Sequence, residues 1–301
     1  MPRDYAVMRL GTELGKRLWR RSAGYWESRL DEQGLLRNLA VPNLDALHQQ
    51  LKERSHHSRY TGIDAQLLEH WIPGETGRIV ERADAALAGR VCLLGSGTIQ
   101  LGNIEWHRDY KSGLSWPMVY FADIDVADLD RPGDVKFPWE LSRMQWLIPA
   151  AQAWRITGED RYAARVREVL EHWMEANPCA WGVNWACAME PAMRVFTWSW
   201  LYRVLADAPS WHDREFRIRF LRALYLHLQF IRQNLEISDV NGNHLITDAA
   251  ALVAGGAFFG SGKPRQWMEV GWRLLNREIQ VQVFPDGVDF EGSVPYHRLV
   301  A

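Results

Sequence analysis

At 301 residues, with 47% hydrophobic and 24% charged side chains, the chain can bury a large core and has the composition of a globular protein. Its formal net charge of −2 excludes the overall basic field of a nucleic-acid-binding protein, so a polyanionic ligand needs a local basic patch. No stretch approaches the roughly 18 to 20 consecutive apolar residues of a transmembrane helix. We therefore expect no nucleic-acid partner and no membrane-spanning segment.

The N-terminal third of the chain is predicted to be mainly helical. Helices are expected at about 4–30, 43–55, 62–71 and 75–88. In RVCLLGSGTIQLG, two short β-prone runs flank Gly95-Ser96-Gly97, and this pattern predicts a hairpin near 90–102. The basic start of the chain has no continuous apolar segment of a signal peptide. Taken literally, this indicates the cytoplasm, but a trimmed start would look the same, so the localisation stays open.

Helical periodicity is strongest in the middle of the chain. Between residues 140 and 157, apolar residues repeat at i, i+3, i+7 and i+10, which predicts one amphipathic helix. Gly158 is expected to end it, and a second helix should run to Asn177-Pro178, giving an antiparallel hairpin. Further helices are expected at about 187–206, 211–235, 244–258 and 264–283.

Long polar loops separate these helical hairpins, which together predict a barrel or array of helix pairs. The loops are NIEWHRDYKSGLSWP, DRPGDVKFPWE, CAWGVNWACAME and SDVNGNHLITD. Loops of this length are usually functional in a compact domain, and all four could meet on one rim. The 16 tryptophans, taken together, favour a carbohydrate ligand, because an indole face can stack on a sugar ring. Any single tryptophan is more simply explained by core packing.

Two residues at the start of an Ala-rich helix form the first candidate site. Asn243 is a good N-cap residue, and the helix is expected to begin near His244. The backbone N–H groups of a first helical turn lack partners and attract an anion, so both side chains could hydrogen-bond a substrate carboxylate. The alternative is that Asn243 only caps the helix and His244 lies in a polar corner.

The last thirteen residues, DFEGSVPYHRLVA, gather several titratable groups. Tyr296 has an ordinary pKa of about 10, but Arg298 or a protonated His297 would lower that pKa, so that Tyr296 could accept a weakly acidic proton. A buried Tyr296 bonded to the backbone is an equal alternative. Asp289 and Glu291 could form a glycosidase carboxylate pair, although caps and salt bridges are the commoner use of such residues.

Other charged residues have the spacing of helix-surface pairs. Glu140 and Arg143 are three apart, and Glu190 and Arg194 are four apart. If they line a groove, the two arginines could instead contact an acidic sugar. The three cysteines form no spaced metal pair, and we interpret them as packing residues. No histidine pattern, phosphate loop or dinucleotide fingerprint is present, so we predict no metal site and no cofactor.

Six stretches of the sequence are similar to stretches of a known protein family. They are EWHRDYKSGLSWP, VKFPWELSRMQWL, ITGEDRYAARV, NPCAWGVNWACAMEPAMR, NGNHLITDAA and REIQVQVFPDGVDFEGSVPYHRLV. In this order they resemble the heparinase II/III family of polysaccharide lyases and its alginate-lyase-like relatives, over about residues 100–301. The resemblance implies an all-α fold, an incomplete (α/α) toroid, followed in full-length members by a β-sandwich that this chain lacks. We expect one toroid domain over 1–301: N-terminal helices in 1–89, the hairpin in 90–102 and the core in 103–301.

The resemblance also implies roles for single residues. Asn243 matches the family's neutraliser of a uronate carboxylate, His244 an assisting His, and Tyr296 the proton-transfer residue. A further His or Tyr comes from the β-sandwich and has no counterpart here. Pro191 departs from the family pattern, so a helix should start or kink there. We expect the substrate to be bound by Trp139, Arg143, Asn184, Trp185, Glu190, Arg194, His297 and Arg298.

These roles predict a truncated polysaccharide lyase that acts on an acidic, uronate-containing polysaccharide by β-elimination. Removal of the C5 proton and loss of the C4 oxygen would leave an unsaturated uronate. Two alternatives remain: a non-catalytic domain that binds acidic polysaccharide or assists its assembly, and a glycoside hydrolase that uses Glu140, Asp289 or Glu291. The near-neutral charge argues mildly against a densely sulfated substrate. The family suggests a periplasmic location.

Overall fold

The structure of the protein, a computed structural model, describes residues 3–56, 64–128, 130 and 133–293. These residues form an almost entirely helical fold, and none of their helices is both long and apolar enough to cross a bilayer. The helices are α1 (Arg3–Arg29), α2 (Glu32–Leu39), α3 (Leu44–His56), α4 (Ala65–Trp71), α5 (Glu75–Leu87), α6 (Lys136–Arg143), α7 (Ile148–Thr157), α8 (Asp160–Ala176), α9 (Met189–Leu205), α10 (Arg214–Gln233), α11 (Asn243–Phe259) and α12 (Gly262–Gln282). The strands are β1 (Arg90–Cys92) and β2 (Thr98–Gln100).

Alternate helices pack side by side, which gives the fold two layers. In one layer α5 contacts α7, α7 contacts α9, and α9 contacts α11; in the other, α8 contacts α10 and α10 contacts α12. Helices α9 and α11 are buried on nearly every face, as expected for inner helices that are apolar all round. Helices α8, α10 and α12 bury only part of their surface. The predicted toroid of antiparallel helical hairpins is therefore confirmed.

Aromatic side chains fill the space between the layers. Trp173, Trp198 and Trp211 are fully buried, and the ring of Trp198 stacks on Phe220 with centroids 5.4 Å apart. Truncating a buried ring of this size to alanine typically costs about 3–5 kcal/mol. These indoles serve the core, as expected for any single tryptophan, whereas Trp71 is 73% exposed.

The predicted helix over 140–157 is wrong, because the chain breaks in its middle. Helix α6 ends before Met144, whose φ of 59° is left-handed, and a 3₁₀ turn leads into α7. Pro149 explains the break, since proline lacks an N–H and fits the first turn of a helix but not its interior. Pro191 likewise lies in the first turn of α9, close to where a helix start was expected.

Several local predictions are confirmed. Strands β1 and β2 pair antiparallel around Gly95-Ser96-Gly97, with Cys92 opposite Thr98. Gly158 ends α7 with a φ of 73°, a conformation that glycine adopts without steric cost. Helix α8 ends one residue before Asn177.

Each of the four polar loops is linked by a hydrogen bond to the next one along the chain. The bonded residue lies in the loop itself or just outside it. The three contacts are Asp134 N–H to Asp109 Oδ2 at 2.9 Å, Trp139 Nε1 to the Val183 carbonyl at 2.8 Å, and Met189 N–H to Glu236 Oε2 at 2.9 Å. Each loop is thus linked to the next, and the last contact involves Glu236, which precedes α11.

Candidate functional site

A polar cavity of about 510 Å³ lies at the N-terminal end of α11. Helix α1, the connection from α10 to α11 and the first turn of α11 share its wall. Its volume is in the range of ordinary small-ligand pockets. The lining side chains that carry charge or an amide or imidazole group include Arg9, Lys16, Glu236, Asn243, His244 and Glu291.

Asn243 lies at this cavity, but it does not cap the helix as predicted. The N-cap is Gly242, and Asn243 is the first residue of α11. The Asn243 backbone N–H donates to Glu291 Oε1 at 3.0 Å, and its side-chain Nδ2 donates to the two Glu291 oxygens at 2.9 and 3.2 Å. Because the Glu291 carboxylate satisfies this free N–H, a capping side chain is not needed.

Glu291 is thus a carboxylate held by three hydrogen bonds at a helix N-terminus. The same loop carries Asp289, which is buried and accepts the Glu291 backbone N–H at Oδ1 (3.1 Å). This contact within the loop matches the capping role considered for Asp289. Glu291 instead reaches across 48 residues of sequence to Asn243. The Asn243 side-chain oxygen has no hydrogen-bond partner among the described residues.

His244 follows on the same helical turn and is held by Glu236. Its Nδ1 lies 3.0 Å from Glu236 Oε1, and its side chain is about half exposed. Burial lowers the pKa of His244, but the hydrogen bond and negative charge of Glu236, with further carboxylates nearby, outweigh burial and raise this pKa above its ordinary value. The raised pKa favours the protonated imidazole beside Asn243, and that form can donate to an anion.

Glu236 is itself fixed from two sides. Its Oε2 accepts the Met189 N–H at 2.9 Å, and its own backbone N–H donates to Asp248 Oδ2 at 2.9 Å. Asp248 is completely buried, and burial, followed by the charge of Glu236, raises the pKa of its carboxyl. The sequence alone does not identify Glu236, because no motif surrounds it and its partners lie 8 to 47 residues away along the chain.

A second cluster joins α6 to α9. Arg143 makes a bidentate contact with Glu190 at 3.0 and 2.6 Å and a third contact with Glu140 at 3.0 Å. Burial lowers the pKa of the Arg143 guanidinium, but the charge of Glu190 outweighs this and raises it. Carboxylates already accept from three of the five N–H groups of Arg143, so these contacts compete with binding of a sugar carboxylate. Glu190 is also close enough to help raise the pKa of His244.

The predicted surface pair of Glu190 and Arg194 is wrong, because both side chains are fully buried. Arg194 donates to His227 Nε2 at 2.8 Å, and its guanidinium lies over the rings of Trp173 and Trp185 at 4.6 and 5.2 Å. Burial lowers the pKa of Arg194 to about 9. Glu190 faces Arg143 on another helix instead.

Asn184 and Trp185 belong to this interior as well. Asn184 accepts a hydrogen bond from Arg194 at its carbonyl (2.7 Å), and its Nδ2 donates to the Trp106 carbonyl (3.0 Å) and to Asn177 Oδ1 (2.8 Å). Both side chains are at most 2% exposed. The expected substrate contacts of Asn184, Trp185, Glu190 and Arg194 are therefore replaced by structural ones, since buried side chains cannot reach a ligand in this conformation.

The remaining predicted residues are Trp139 and three residues near the C-terminal end of the sequence. Trp139, on α6, is half-buried, and its Nε1 donates to the Val183 carbonyl. Tyr296, His297 and Arg298 lie outside the described residues. Of the predicted set, the structure therefore brings Asn243 and His244 together at one cavity.

Comparison with known proteins identifies the family. A family model described as Heparinase II/III N-terminus matches residues 45–301. A heparin-sulfate lyase of Bacteroides stercoris is 29% identical over 186 residues, which are 54% of this chain and 27% of that protein. A heparin-sulfate lyase of Bacteroides thetaiotaomicron is 27% identical over 193 residues, 62% of this chain and 25% of that protein. The match thus spans about a quarter of the length of these relatives.

The fold agrees with this match. The heparan sulfate lyase HepC of Pedobacter heparinus superimposes with a TM-score of 0.60 at 22% identity, covering 82% of this chain and 36% of that chain. Identity at this level shows the fold alone. The family model, however, covers most of the chain, so the resemblance read from the six stretches is confirmed. The chain belongs to the heparinase II/III family, whose N-terminal region it matches.

Proposed function

We propose that this chain is the helical part of a polysaccharide lyase that cleaves a uronate-containing polysaccharide by β-elimination. The observation that carries the proposal is the position of Glu291. Its carboxylate is held by the backbone and side chain of Asn243 at the N-terminus of a 17-residue helix, beside a polar cavity. A site that holds this carboxylate has the donors that a uronate carboxylate needs.

The chemistry of β-elimination explains why those donors matter. The C5 proton of a uronate becomes acidic enough to remove only when the negative charge that spreads onto the carboxylate is neutralised. Preorganised donors at that carboxylate stabilise the developing charge, and such donors are typically worth a hundred- to a thousandfold in rate. In this chain, the Asn243 amide, the His244 imidazole and the N-terminus of α11 would supply them.

Tyr296 completes the proposal as the proton-transfer residue. It follows Glu291 by five residues in the sequence, and Glu291 is held at Asn243. In the proposed reaction, Tyr296 removes the C5 proton, and the same hydroxyl or a second group protonates the departing C4 oxygen. The second group would belong to a part of the protein outside this chain.

The substrate class is proposed at the level of an acidic, uronate-containing polysaccharide. The names of the relatives point to heparan-type chains, which are sulfated. The cavity offers few free cations for sulfate, since Arg9 pairs with Asp239 at 2.9 Å and Lys16 pairs with Glu13 at 2.8 Å. We therefore propose that the carboxylate, rather than sulfate, is what this cavity recognises.

The test is a product assay with the full-length protein on heparan sulfate, on an unsulfated glucuronate polymer and on alginate. We expect ultraviolet absorbance from a C4=C5 unsaturated uronate with at least one polymer. Tyr296→Phe should abolish this absorbance, whereas Tyr110→Phe is a matched control, since Tyr110 accepts a backbone hydrogen bond from Glu105.

Other outcomes would overturn the proposal in different ways. Full activity of Tyr296→Phe would remove the assignment of Tyr296. Saturated reducing ends without ultraviolet absorbance would indicate a glycoside hydrolase. Binding of acidic polysaccharide without turnover, unchanged by Asn243→Ala and Tyr296→Phe, would favour the non-catalytic binding or assembly domain.

A further inference from the structure

Three chain segments bring a thiol, a carboxylate and an imidazole together beside the start of α11. Cys187 lies two residues before α9, Glu236 lies between α10 and α11, and His244 is the second residue of α11. One ligand atom from each side chain lies within 4.8 Å of the other two. We call these three residues the Cys187 cluster.

The donor types of this cluster are those of a zinc site. Zn²⁺ is commonly bound by cysteine sulfur, histidine nitrogen and carboxylate oxygen, at about 2.0–2.3 Å and in tetrahedral geometry. Tetrahedral bonds of that length place the ligand atoms about 3.3–3.8 Å apart. The atoms of the Cys187 cluster are therefore within roughly an ångström of the required spacing. Three protein ligands with a fourth open position is the arrangement of catalytic rather than structural zinc sites.

The charges around the cluster also favour a cation. Burial, followed by the charges of Glu236 and Glu190, raises the pKa of the Cys187 thiol, and a bound cation would offset this effect. Asp248 is completely buried, and its Oδ1 has no hydrogen-bond partner within the part of the chain that the structure describes. Arg143 offsets the charge of Glu190. Glu236 contacts His244, and a metal-bound imidazole must be neutral, so with a metal in place the Glu236 carboxylate keeps its negative charge for the cation.

The framework around the cluster holds its ligands in place. The Glu236 carboxylate accepts the Met189 N–H, and Met189 begins the helix that Cys187 precedes by two residues. The Glu236 backbone is tied to Asp248, which lies one turn into α11, beyond His244. Supports of this kind orient metal ligands and are typically worth ten- to a hundredfold in metal affinity.

We propose that Cys187, Glu236 and His244 bind a divalent transition-metal ion of the Zn²⁺ type, with the fourth position open. This inference goes beyond the proposed lyase function and does not depend on it, because it concerns metal binding and not turnover. It gives His244 a different role, since an imidazole that binds a metal is neutral and not the protonated donor of the proposed reaction. The cysteines, which the sequence suggested were only packing residues, would then have separate roles. Cys187 would be a ligand, whereas Cys92 is exposed and belongs to the β-hairpin.

The test uses Co²⁺ as a spectroscopic probe on protein freed of metal by a chelator and then dialysed. We expect one equivalent of Co²⁺ to bind per chain, with thiolate-to-cobalt absorption in the near ultraviolet and d–d bands typical of tetrahedral coordination. Zn²⁺ should displace the Co²⁺ and remove both absorptions.

The variants distinguish the cluster from other thiols. Cys187→Ser should abolish the thiolate absorption, and Glu236→Gln should weaken Co²⁺ binding at least about tenfold. Cys92→Ser is the matched control and should bind as the unmodified chain does. Far-ultraviolet circular dichroism shows that each variant is folded before it is titrated.

Two results would overturn the inference. One is the absence of saturable binding of a single Co²⁺ to the folded chain. The other is a thiolate absorption that persists in Cys187→Ser, or is lost in Cys92→Ser. Neither result bears on the lyase assay, so failure of this inference and failure of the proposed function are separable.

Discussion

The pocket at Asn243 and the interior around Arg194 are built from similar residue types, yet the structure uses them in opposite ways. At Asn243, amide, imidazole and carboxylate groups face a cavity of about 510 Å³. Around Arg194, a guanidinium, an amide and an imidazole are sealed between indole rings. Both regions were predicted to bind substrate. The two regions differ in burial. The pocket at Asn243 is available to a ligand, whereas the interior around Arg194 is buried and supports the loop that carries Asn184.

The difference shows how a buried cation can be accommodated without a carboxylate in hydrogen-bond contact, although the charge of Glu190 also acts on Arg194. Arg194 donates to a neutral imidazole and to a carbonyl, and it lies over two indole faces. Stacking on an aromatic face stabilises a guanidinium that has lost its water. The lowered pKa of Arg194, about 9, is the remaining cost of burial. A sequence pattern of Arg, Asn and Trp therefore does not by itself indicate a sugar site.

The largest expected effect is on stability, from Arg194→Ala. The change leaves a cavity between two indoles and removes the donor to the Asn184 carbonyl and to His227. We expect a loss of about 3–5 kcal/mol in the free energy of unfolding. Urea unfolding followed by tryptophan fluorescence measures it.

The matched control is Arg9→Ala, whose guanidinium is half exposed and pairs with an exposed aspartate. Its loss should change the free energy of unfolding by less than about 1 kcal/mol. If Arg194→Ala were as stable as Arg9→Ala, the structural role of the Arg194 region would be excluded.

The opposite pattern is expected for Asn243→Ala. Loss of one donor to the developing charge should lower kcat of the full-length protein by about a hundred- to a thousandfold. The free energy of unfolding should fall by only about 1–2 kcal/mol, because Glu291 can turn toward solvent. The product assay and urea unfolding together provide the measurement.

Asn276→Ala is the control for this change, since Asn276 is exposed on α12 and its side chain donates within its own helix, to the Trp272 carbonyl. Its kcat should not change. A variant at Asn243 that kept its kcat, or lost stability as severely as Arg194→Ala, would place Asn243 with the structural residues.

Much of the fold could be predicted from the sequence, because helix existence follows from apolar periodicity. The break at Met144 could not, since α6 and α7 both turn apolar residues inward and the pattern continues across the turn between them. Pro149 was the available signal, as a proline fits only the first turn of a helix.

The site was predictable only in part, for a different reason. Asn243 and His244 could be predicted because they mark a helix start, which is a local feature. Glu291 contacts Asn243 across 48 residues of sequence, and Glu236 contacts His244 across 8. No local sequence pattern predicts such contacts. The Glu190–Arg194 spacing led to a wrong prediction of a surface pair. Because α9 is buried on nearly every face, the spacing of two charged residues within it does not show that they are exposed.

A smaller effect is expected for Glu291→Gln. The Glu291 carboxylate occupies donors that a uronate would use, and it adds negative charge to the pocket. Removing that charge should lower KM for a uronate substrate about two- to fivefold, with kcat little changed. Steady-state kinetics of the full-length protein, with Glu269→Gln as an exposed control on α12, test this. A fall in kcat without a fall in KM would show that Glu291 instead orients Asn243.

The smallest expected effect is on the pH dependence of folding stability, to which His227 in the interior and His244 in the pocket contribute with opposite signs. Burial, followed by the charge of Arg194, holds the pKa of His227 well below 6.5, so His227 stays neutral in the folded state. It therefore disfavours folding increasingly as the pH falls below 6.5. The raised pKa of His244 has the opposite sign: it stabilises the fold below pH 6.5, and this contribution is lost as the pH rises through the raised pKa.

Nuclear magnetic resonance titration of the imidazole protons, with a chelator present, measures both groups in one sample. His244 should titrate above pH 6.5, and Glu236→Gln should lower its pKa, because Glu236 supplies the hydrogen bond and charge that raise it. His227 should show no titration before acid unfolding, with or without the Glu236 change. If the two histidines titrated together, the electrostatic contrast between the open pocket and the sealed interior would be wrong, whatever reaction the pocket performs.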